Sequence, residues 1–538
     1  MRLLEFVSLI KPLRGDGALT REVNGVAWDC RRVQPGNLFI ALAGGGRDTQ
    51  ASVDTAVERG ASAVLCDGQE VVSLRATRIQ VSNVRAALPR VAELFFGQAD
   101  RRLKVIGVAG NFGTSAPAAL LKTVLDAAGF KCGIIGSTGC IVGERHLPPL
   151  RKNCESLDYH ELLAQMVHAG CTACVLEFGP EAIEQKKLVD IAFDAVIFTR
   201  FSSARVPGRG AALVQFCRAL ANGPKRSVAA FNIDDPISRA LFESGSAGRQ
   251  ISFGFNGAAE VRGFDLELAQ RSLGMVVSAA GAEIRLRTKL AGRQNAANLL
   301  AVCAGAGALK LPLALVRFTL QKAAAPEGSL ESVGEGDIFV YVDGSQTDED
   351  ISVALHSIRE ICSGRLLVAI GSSDKQSGDM RFRIGQATAA VADYTVITSN
   401  NPGRESAMQI AVQIERGLGV KKPYHVCTDR AQAIHDLIQL ARPGDIVLIT
   451  GKGAERHQEF AQTIVPFDDR EYVLAALELR RGSHGSGEHT PLACSDRRPA
   501  GRTGEPGDSR DAGHAVSATV AGETPATARE TRALPSKV

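Results

Sequence analysis

The stretch VIGVAGNFGTSAPAALL, residues 105–121, has the residue types of a phosphate-binding loop. An apolar strand-like run leads into a glycine-containing turn and a helical pattern, so backbone N–H groups could surround a phosphate. Gly110 and Gly113 would allow that approach, although a strand-to-helix turn that needs positive φ explains them equally well. The Ser115 hydroxyl could hold a metal ion, but Thr114 stands where such loops carry a lysine. The pattern therefore predicts the shape of a phosphate cradle without its ammonium group.

Four other charged residues could carry chemistry. Glu177 ends the apolar run CVLEF and is the best catalytic candidate, since a buried carboxylate without a partner is costly. Lys452, between two glycines, is either a site residue or a solvated side chain. We interpret Asp29 and Arg31 as a structural ion pair, with ligand contact as the alternative.

The histidines and cysteines do not form a metal-binding pattern. His146, His160 and His168 lack metal-ligand spacing, so we expect packing or surface roles. Cys171 and Cys174 form a CxxC without a second pair, and the segment continues into a strand, which favours core packing.

The composition narrows the class of protein. The chain has 538 residues, 45% hydrophobic, with a net charge of +4 and no clustered basic stretch, so we expect no nucleic-acid partner. No apolar run approaches the ~20 residues of a membrane span, and the opening segment lacks a cleavage site. Twelve cysteines scattered singly along the chain are typical of the reducing cytoplasm, where we expect the protein to act.

Alternating strand-like and helix-like runs predict an α/β protein of three domains. Residues 1–100 predict a small α/β domain, residues 101–325 a parallel sheet with crossover helices, and residues 326–480 a second Rossmann-like sheet. Residues 481–538 are rich in Gly, Ser, Thr, Pro and Arg and predict a disordered tail, because they cannot bury enough apolar surface to offset the ordering entropy.

Several strings together resemble the Mur ligase family, and its MurE branch most closely, from about residue 20 to residue 480. WDCRRVQPGNLFIALAG is similar to the stretch that meets the uridine nucleotide, CESLDYHELLAQMVHAG to the one that contacts the muramoyl substrate, and SNNPGRE and ITGKGAERHQ to motifs of the last domain. The resemblance implies, in order, a UDP-sugar-binding domain, an ATPase-like domain and an amino-acid-side domain. It also implies ATP and Mg²⁺ as cofactors. The implied reaction joins an amino acid to a UDP-N-acetylmuramoyl-peptide through an acyl phosphate.

The resemblance also carries roles onto single positions of this chain. It implies nucleotide-binding roles for Gly110, Gly113, Thr114, Ser115, Asn295, Asn298, Asp343 and Arg381. It implies substrate-binding roles for Asp29, Cys30, Arg31, Glu155, Ser156, Arg404, Lys452 and Glu455. Ser115 and Glu177 match its metal-binding positions.

Many charged positions of the family motifs are replaced here. Thr114 replaces the loop lysine, Arg205 a metal-binding histidine, and Cys217 or Arg218 the carbamylated lysine. An arginine cannot ligate a cation, and a short hydroxyl cannot neutralise developing phosphate charge. In the last domain the replaced positions are Ser329, Gln346, Gly403 and Ala454.

Three functions follow from this pattern. The first is a MurE-like protein without ligase activity that binds a UDP-sugar peptide or has a regulatory or scaffolding role. The second is an active ATP-dependent ligase in which Arg200, Arg205 or Arg209 replaces the lost cations. The third is a pure interaction partner of an active ligase.

Overall fold

The computed structural model of the protein describes residues 2–485, apart from residues 11, 43–48, 69–74, 112, 152–153, 189, 202–209, 226 and 420–421. Most of the predicted tail therefore lies outside the described residues. No helix within the described ranges is both long and apolar enough to cross a membrane.

The first sheet lies within the predicted N-terminal domain. Its region contains α1 (Leu3–Ile10), β1 (Arg14–Asp16), β2 (Gly25–Ala27), a 3₁₀ turn (Cys30–Arg32), β3 (Asn37–Ile40), α2 (Thr49–Glu58), β4 (Ala63–Cys66), β5 (Thr77–Gln80), α3 (Val84–Phe96) and α4 (Ala99–Arg102). The strand order is β1-β5-β4-β3-β2, and only β1 is antiparallel to its neighbour. The Asn83 side chain caps α3 by accepting from the Ala86 N–H, and the helix ends before Gly97 at φ +67°.

The central sheet has eleven strands. Its region contains β6 (Lys104–Ala109), α5 (Ser115–Ala127), β7 (Cys132–Ile135), β8 (Cys140–Val142), β9 (Arg145–Leu147), α6 (Ser156–His168), β10 (Ala173–Phe178), α7 (Pro180–Glu184), β11 (Ala195–Phe198), α8 (Gly210–Asn222), β12 (Val228–Asn232), α9 (Pro236–Glu243), β13 (Arg249–Gly254), β14 (Val261–Ala269), β15 (Ser272–Ala279), β16 (Ala282–Thr288), α10 (Gly292–Ala308) and α11 (Leu313–Leu320). The strand order is β16-β15-β14-β13-β12-β11-β6-β10-β7-β8-β9, parallel from β14 to β7.

Strand β6 shows why the strands of this sheet are continuous apolar runs in the sequence. Ile106 and Val108 pack into the core on one face, and Val105 and Ala109 into the core on the other. Both faces are covered by helices, so successive residues are buried whichever way they point. The sheet brings the carboxyl ends of β6, β10 and β11 side by side, where ligand sites of parallel sheets commonly lie.

The third sheet lies in the last predicted domain. Its region contains β17 (Glu331–Ser332), β18 (Phe339–Asp343), α12 (Asp348–Arg359), β19 (Leu366–Ile370), α13 (Gly378–Val391), β20 (Tyr394–Ile397), α14 (Ala407–Leu418), β21 (Tyr424–Val426), α15 (Arg430–Leu440), β22 (Ile446–Thr450), β23 (His457–Phe460), β24 (Thr463–Pro466) and α16 (Asp469–Gly485). The six strands run in the order β17-β18-β22-β19-β20-β21, and β23 and β24 form a separate hairpin. Helix α16 continues to Gly485, a few residues into the predicted tail.

The α/β fold class with three successive sheets is confirmed. The exact domain bounds, at residues 100, 325 and 480, remain a prediction. The CxxC prediction of core packing is also confirmed, because Cys171 and Cys174 are both buried against the central sheet.

Candidate functional site

The turn after β6 has two glycines with different structural reasons. Gly113 has φ +59°, a left-handed conformation that favours glycine. Gly110 is not at positive φ, so of the two explanations given for it from sequence, the one by positive φ is wrong. A Cβ there would lie 2.3 Å from Thr199 Oγ1, and close approach of β11's end is what requires glycine.

Two backbone N–H groups of the turn already donate hydrogen bonds to carbonyl groups of the protein. The Gly110 N–H donates to the Phe178 carbonyl at 3.2 Å, and the Asn111 N–H donates to the Arg200 carbonyl at 2.9 Å. The first N–H groups of α5 lie beyond them and have no acceptor inside the helix, as at every helix N-terminus. A phosphate at this turn would therefore meet the end of α5 rather than a complete ring of loop amides.

Glu177 lies at the centre of a cluster of hydroxyl groups. Its Oε1 accepts from Thr114 Oγ1 at 2.5 Å, from Ser115 Oγ at 2.7 Å and from Ser137 Oγ at 3.0 Å. Its Oε2 accepts from the Ser137 N–H at 3.0 Å. The argument that this carboxylate lacks a partner is therefore wrong. Sequence reasoning missed Ser137. The one feature of the sequence that could have indicated a site role for it is its position in the turn after β7.

A small cavity lies beside the loop. It measures about 40 Å³, and its lining includes Gly113, Arg200, Gln294, Asn298 and Asp350. This volume holds a few water molecules rather than a nucleotide base. Asn298 thus lies beside the loop, together with Asp350 of α12 from the third sheet's region, and its nucleotide-binding role stays a prediction.

Three other predicted nucleotide-binding residues do not line this cavity. The Asn295 amide is fully buried and donates to the Ala291 carbonyl at 3.0 Å. Asp343 accepts from the Leu330 and Ser345 N–H groups at 2.9 Å each, and burial raises its pKa. Arg381, only 2% exposed, binds the carboxylate of Glu405 at 2.6 and 3.1 Å.

The first-sheet motif forms a compact polar turn. Asp29 caps the 3₁₀ turn by accepting from the Arg31 N–H, and it binds the Arg31 guanidinium at 2.7 and 2.9 Å. Arg151 adds a third contact to Asp29 at 3.3 Å. The predicted ion pair is present. Cys30 is half-buried beside it and packs on the core of this sheet.

The start of α6 lies against this turn's region. Trp28 Nε1 donates to Asp158 Oδ2 at 2.8 Å, and Arg85 binds both oxygens of Glu155 at 2.8 and 3.3 Å. Burial raises the pKa of Asp158. Ser156 is buried, and its Oγ has no hydrogen-bond partner among the described residues. The predicted substrate residues of the first and central regions are therefore brought to neighbouring elements.

The third group of predicted residues surrounds Lys452. The interpretation of Lys452 as solvated is wrong, because it is 2% exposed and donates to Asn401 Oδ1 at 2.9 Å. Burial and the nearby Arg430 charge lower its pKa to about 8. Glu455 Oε2 lies 3.7 Å from its ammonium group. Arg404 is exposed, and its backbone N–H donates to Asp374 Oδ2 at 3.3 Å.

Several replaced family positions have structural explanations. Gly403 has φ +56°, and a Cβ there would lie 1.9 Å from Asp374 Oδ2, so a larger residue would displace that carboxylate. Cys217 is buried in the core, where burial raises its pKa to about 12, and Arg218 is exposed. Arg205 and Arg209 lie outside the described residues.

Comparison with known proteins finds two matching domain models and several similar ligases. The Mur ligase middle domain model matches residues 108–306, and the Mur ligase, glutamate ligase domain model matches residues 330–453. The UDP-N-acetylmuramoyl-L-alanyl-D-glutamate–2,6-diaminopimelate ligase of Chlorobium phaeobacteroides is 31% identical, covering 89% of this chain and 97% of its own length. The ligase of that name from Solibacter usitatus is also 31% identical, covering 88% and 97%.

Solved structures share the fold. A UDP-N-acetylmuramoyl-L-alanyl-D-glutamate–2,6-diaminopimelate ligase superposes with a TM-score of 0.64 at 23% identity, covering 89% of this chain and 99% of the other. The MurF ligase of Thermotoga maritima in complex with ADP superposes with a TM-score of 0.59 at 17% identity, covering 86% and 99%.

Proposed function

The chain belongs to the Mur ligase family, and from that premise we propose that it binds a uridine-nucleotide sugar peptide but does not catalyse ATP-driven ligation. Its role is then binding, regulation or scaffolding in peptidoglycan-precursor chemistry or a related peptide ligation. The proposal rests on one observation: the Glu177 carboxylate is held by the hydroxyls of Thr114, Ser115 and Ser137, and no ammonium group of the described residues pairs with it.

Electrostatics supports the loss of activity. A triphosphate at the loop would lie beside the Glu177 carboxylate without the positive charge that a lysine at position 114 would supply. Charge stabilisation of this kind is typically worth several kcal/mol in phosphoryl transfer, so its loss slows the reaction by orders of magnitude.

The fit to Mg²⁺ is also poor. Carboxylate and hydroxyl oxygens suit Mg²⁺, but here the oxygens of Glu177, Thr114 and Ser115 bind one another, so a metal would first have to break these bonds. We propose that Mg²⁺-ATP binds weakly or not at all.

The substrate side supports retained binding. Asp29 and Arg31 form a turn next in sequence to Trp28, whose Nε1 donates to Asp158 at the start of α6. The buried Ser156 hydroxyl at that start has no hydrogen-bond partner among the described residues. The named relatives act on UDP-N-acetylmuramoyl-L-alanyl-D-glutamate. We propose the same class of ligand for this face of the protein.

One observation favours the alternative, an active ligase with substituted residues. Arg200 lines the cavity beside Gly113, so its guanidinium could supply positive charge close to the loop. An arginine in this position would supply the positive charge of a lysine, but its guanidinium would not contact the same phosphate oxygen as a lysine ammonium group.

Phosphate release distinguishes these functions. The full chain is incubated with Mg²⁺-ATP, UDP-N-acetylmuramoyl-L-alanyl-D-glutamate and either 2,6-diaminopimelate or each common amino acid in turn. We expect release at background level, unchanged in Glu177→Ala. Release above background that is lost in Glu177→Ala and in Arg200→Ala would instead establish the active ligase.

Binding is measured separately by calorimetry. We expect heat with UDP-N-acetylmuramoyl-L-alanyl-D-glutamate in the absence of ATP, reduced in Arg31→Ala. Absence of heat at millimolar ligand would remove the binding role and leave the protein as an interaction partner of an active ligase.

A further inference from the structure

The longest sheet edge among the described residues is β16, at one end of the central sheet. It has seven residues, Ala282–Thr288, and pairs only with β15. The other edge strands are shorter: β1, β2, β9, β17 and β21 have two or three residues each, and the strands of the β23–β24 hairpin have four. Proteins usually keep edge strands short, because free backbone groups can pair with another chain.

The outer side of β16 offers such groups. On the side away from β15, the strand makes no backbone hydrogen bond with any residue that the structure describes. Helix α11 packs on one face of the strand, where Leu286 is buried in the same core as Val316 and Leu320. A second strand could therefore add to this edge while α11 stays on its face of the sheet.

The exposed face of β16 has an uneven distribution of charge. Arg285 and Arg287 both bind the Glu267 carboxylate on β14, so their guanidinium groups are held over β15 and not beyond the edge. Gly274 of β15 leaves room for this contact, since a Cβ there would lie 3.2 Å from Glu267 Oε2. Glu283 is exposed and forms no ion pair with any described residue. One end of the strand thus has an unpaired carboxylate, and the other has two guanidinium groups that share one.

We infer that β16 pairs antiparallel with β16 of a second copy of this chain, about a two-fold axis through Ile284. In this register Glu283 of each copy lies directly opposite Arg285 of the other, and opposite charges in this position stabilise a pair of strands. Moving the axis by one residue, to Glu283 or to Arg285, would place two like charges opposite each other, which is destabilising. The charges of the strand therefore favour one register.

An exposed aromatic side chain on α11 supports a contact between copies here. Phe318 is 60% exposed, and it is the one large hydrophobic side chain so exposed in the described part of residues 101–325. The two-fold axis places α11 of both copies on the same face of the joined sheet, because opposite residues of paired strands point to the same face. The paired segment is short, so the contact is smaller than a standard interface and we expect a weak dimer, with a Kd of roughly 10–100 µM.

Sedimentation equilibrium of the full chain, from about 5 to 500 µM, measures this association. We expect a monomer–dimer equilibrium that Arg285→Glu or Glu283→Arg alone weakens at least about tenfold, because each places like charges across the edge. The double variant, which exchanges the two charges, should restore most of the affinity. Arg249→Glu is the matched control: it reverses an exposed charge on β13, away from the edge, and should leave the dimer unchanged.

Cysteine cross-linking tests the register. Residues directly opposite in an antiparallel pair have Cα atoms about 4.5–5.5 Å apart, a separation that a disulfide can span. Under mild oxidation, we expect a disulfide-linked dimer when Glu283→Cys and Arg285→Cys proteins are mixed, and little when either variant or the wild type is oxidised alone. The mixed pair also keeps one Glu283–Arg285 contact intact.

A chain that stays monomeric at 500 µM, a dimer equally sensitive to Arg249→Glu, a double variant no better than the single ones, or cross-linking of Arg285→Cys by itself would each overturn the inference. The inference does not depend on the proposed function, since neither experiment involves ATP or a uridine nucleotide.

Discussion

Thr114 Oγ1 lies 2.5 Å from Glu177 Oε1, so a neutral hydroxyl holds the carboxylate at the end of β10 where the family motif would place an ammonium group nearby. The contact joins the turn after β6 to the neighbouring parallel strand β10. The charge beside Glu177 therefore depends on the side chain at position 114, which a single substitution can change.

Thr114→Lys should make Mg²⁺-ATP bind at least about tenfold more tightly than in the wild type, because an ammonium group offsets the Glu177 charge and can contact phosphate oxygens. Equilibrium dialysis with labelled ATP measures this. Thr123→Lys is the control, since it adds the same charge to an exposed position of α5. Equal gains in both variants would show that net charge alone is responsible.

Asp158→Ala should lower the free energy of unfolding by about 1–3 kcal/mol, because it removes bonds from Trp28 Nε1 and from the Glu155 N–H at the start of α6. Trp28 is the chain's single tryptophan, so its emission reports this contact directly. We expect a red shift on mutation. Glu161→Ala, which removes a half-exposed contact to Arg32 and a long hydrogen bond from Gln165, should cost less than about 1 kcal/mol and leave the emission unchanged.

Arg430→Met should cost about 3–5 kcal/mol of stability, because it leaves Asp469 charged and fully buried without its partner. The guanidinium binds both Asp469 oxygens at 2.7 Å. Urea unfolding measures the loss, and Arg430→Met combined with Asp469→Leu should recover much of it. Arg14→Met, which breaks an exposed pair with Asp16, is the control and should change stability by less than about 1 kcal/mol.

Lys452 should make stability increase with pH in the alkaline range. Its pKa is about 8 in the folded protein against 10.5 for the ordinary side chain, so between these values the unfolded chain binds more protons and the free energy of unfolding rises with pH. Over that interval the wild type should gain roughly 3 kcal/mol relative to Lys452→Met. Urea unfolding of both proteins at about pH 7 and pH 10 measures the difference. A constant difference would show that the lysine titrates normally.

The sequence was sufficient for the fold class and for some local contacts. Apolar runs such as residues 105–109 predicted buried parallel strands, and the Asp29–Arg31 spacing predicted an ion pair that the structure contains. These features depend on neighbouring residues in the chain, so a local pattern records them. The bounds of the three domains and the ligand roles of the site residues remain predictions.

Contacts between distant segments could not be predicted in this way. The burial of Lys452 depends on Asn401, and the bonding of Glu177 depends on Ser137, each 40 or more positions away. Gly110 illustrates the same limit, since the side chain that excludes a Cβ there is Thr199.

The amino-acid sequence alone therefore determined the succession of strands and helices, because apolar periodicity and turn residues act over short stretches of chain. It also determined that Thr114 stands in the turn after β6 where the family motif has a lysine, because residue types can be read directly. Only the tertiary structure decided which polar groups bond to one another and which buried atoms have no partner among the described residues, as is the case for His160 Nδ1 and Asp190 Oδ1. The reason is physical: burial and hydrogen bonding depend on distances in space, which the folding of separate segments against each other sets.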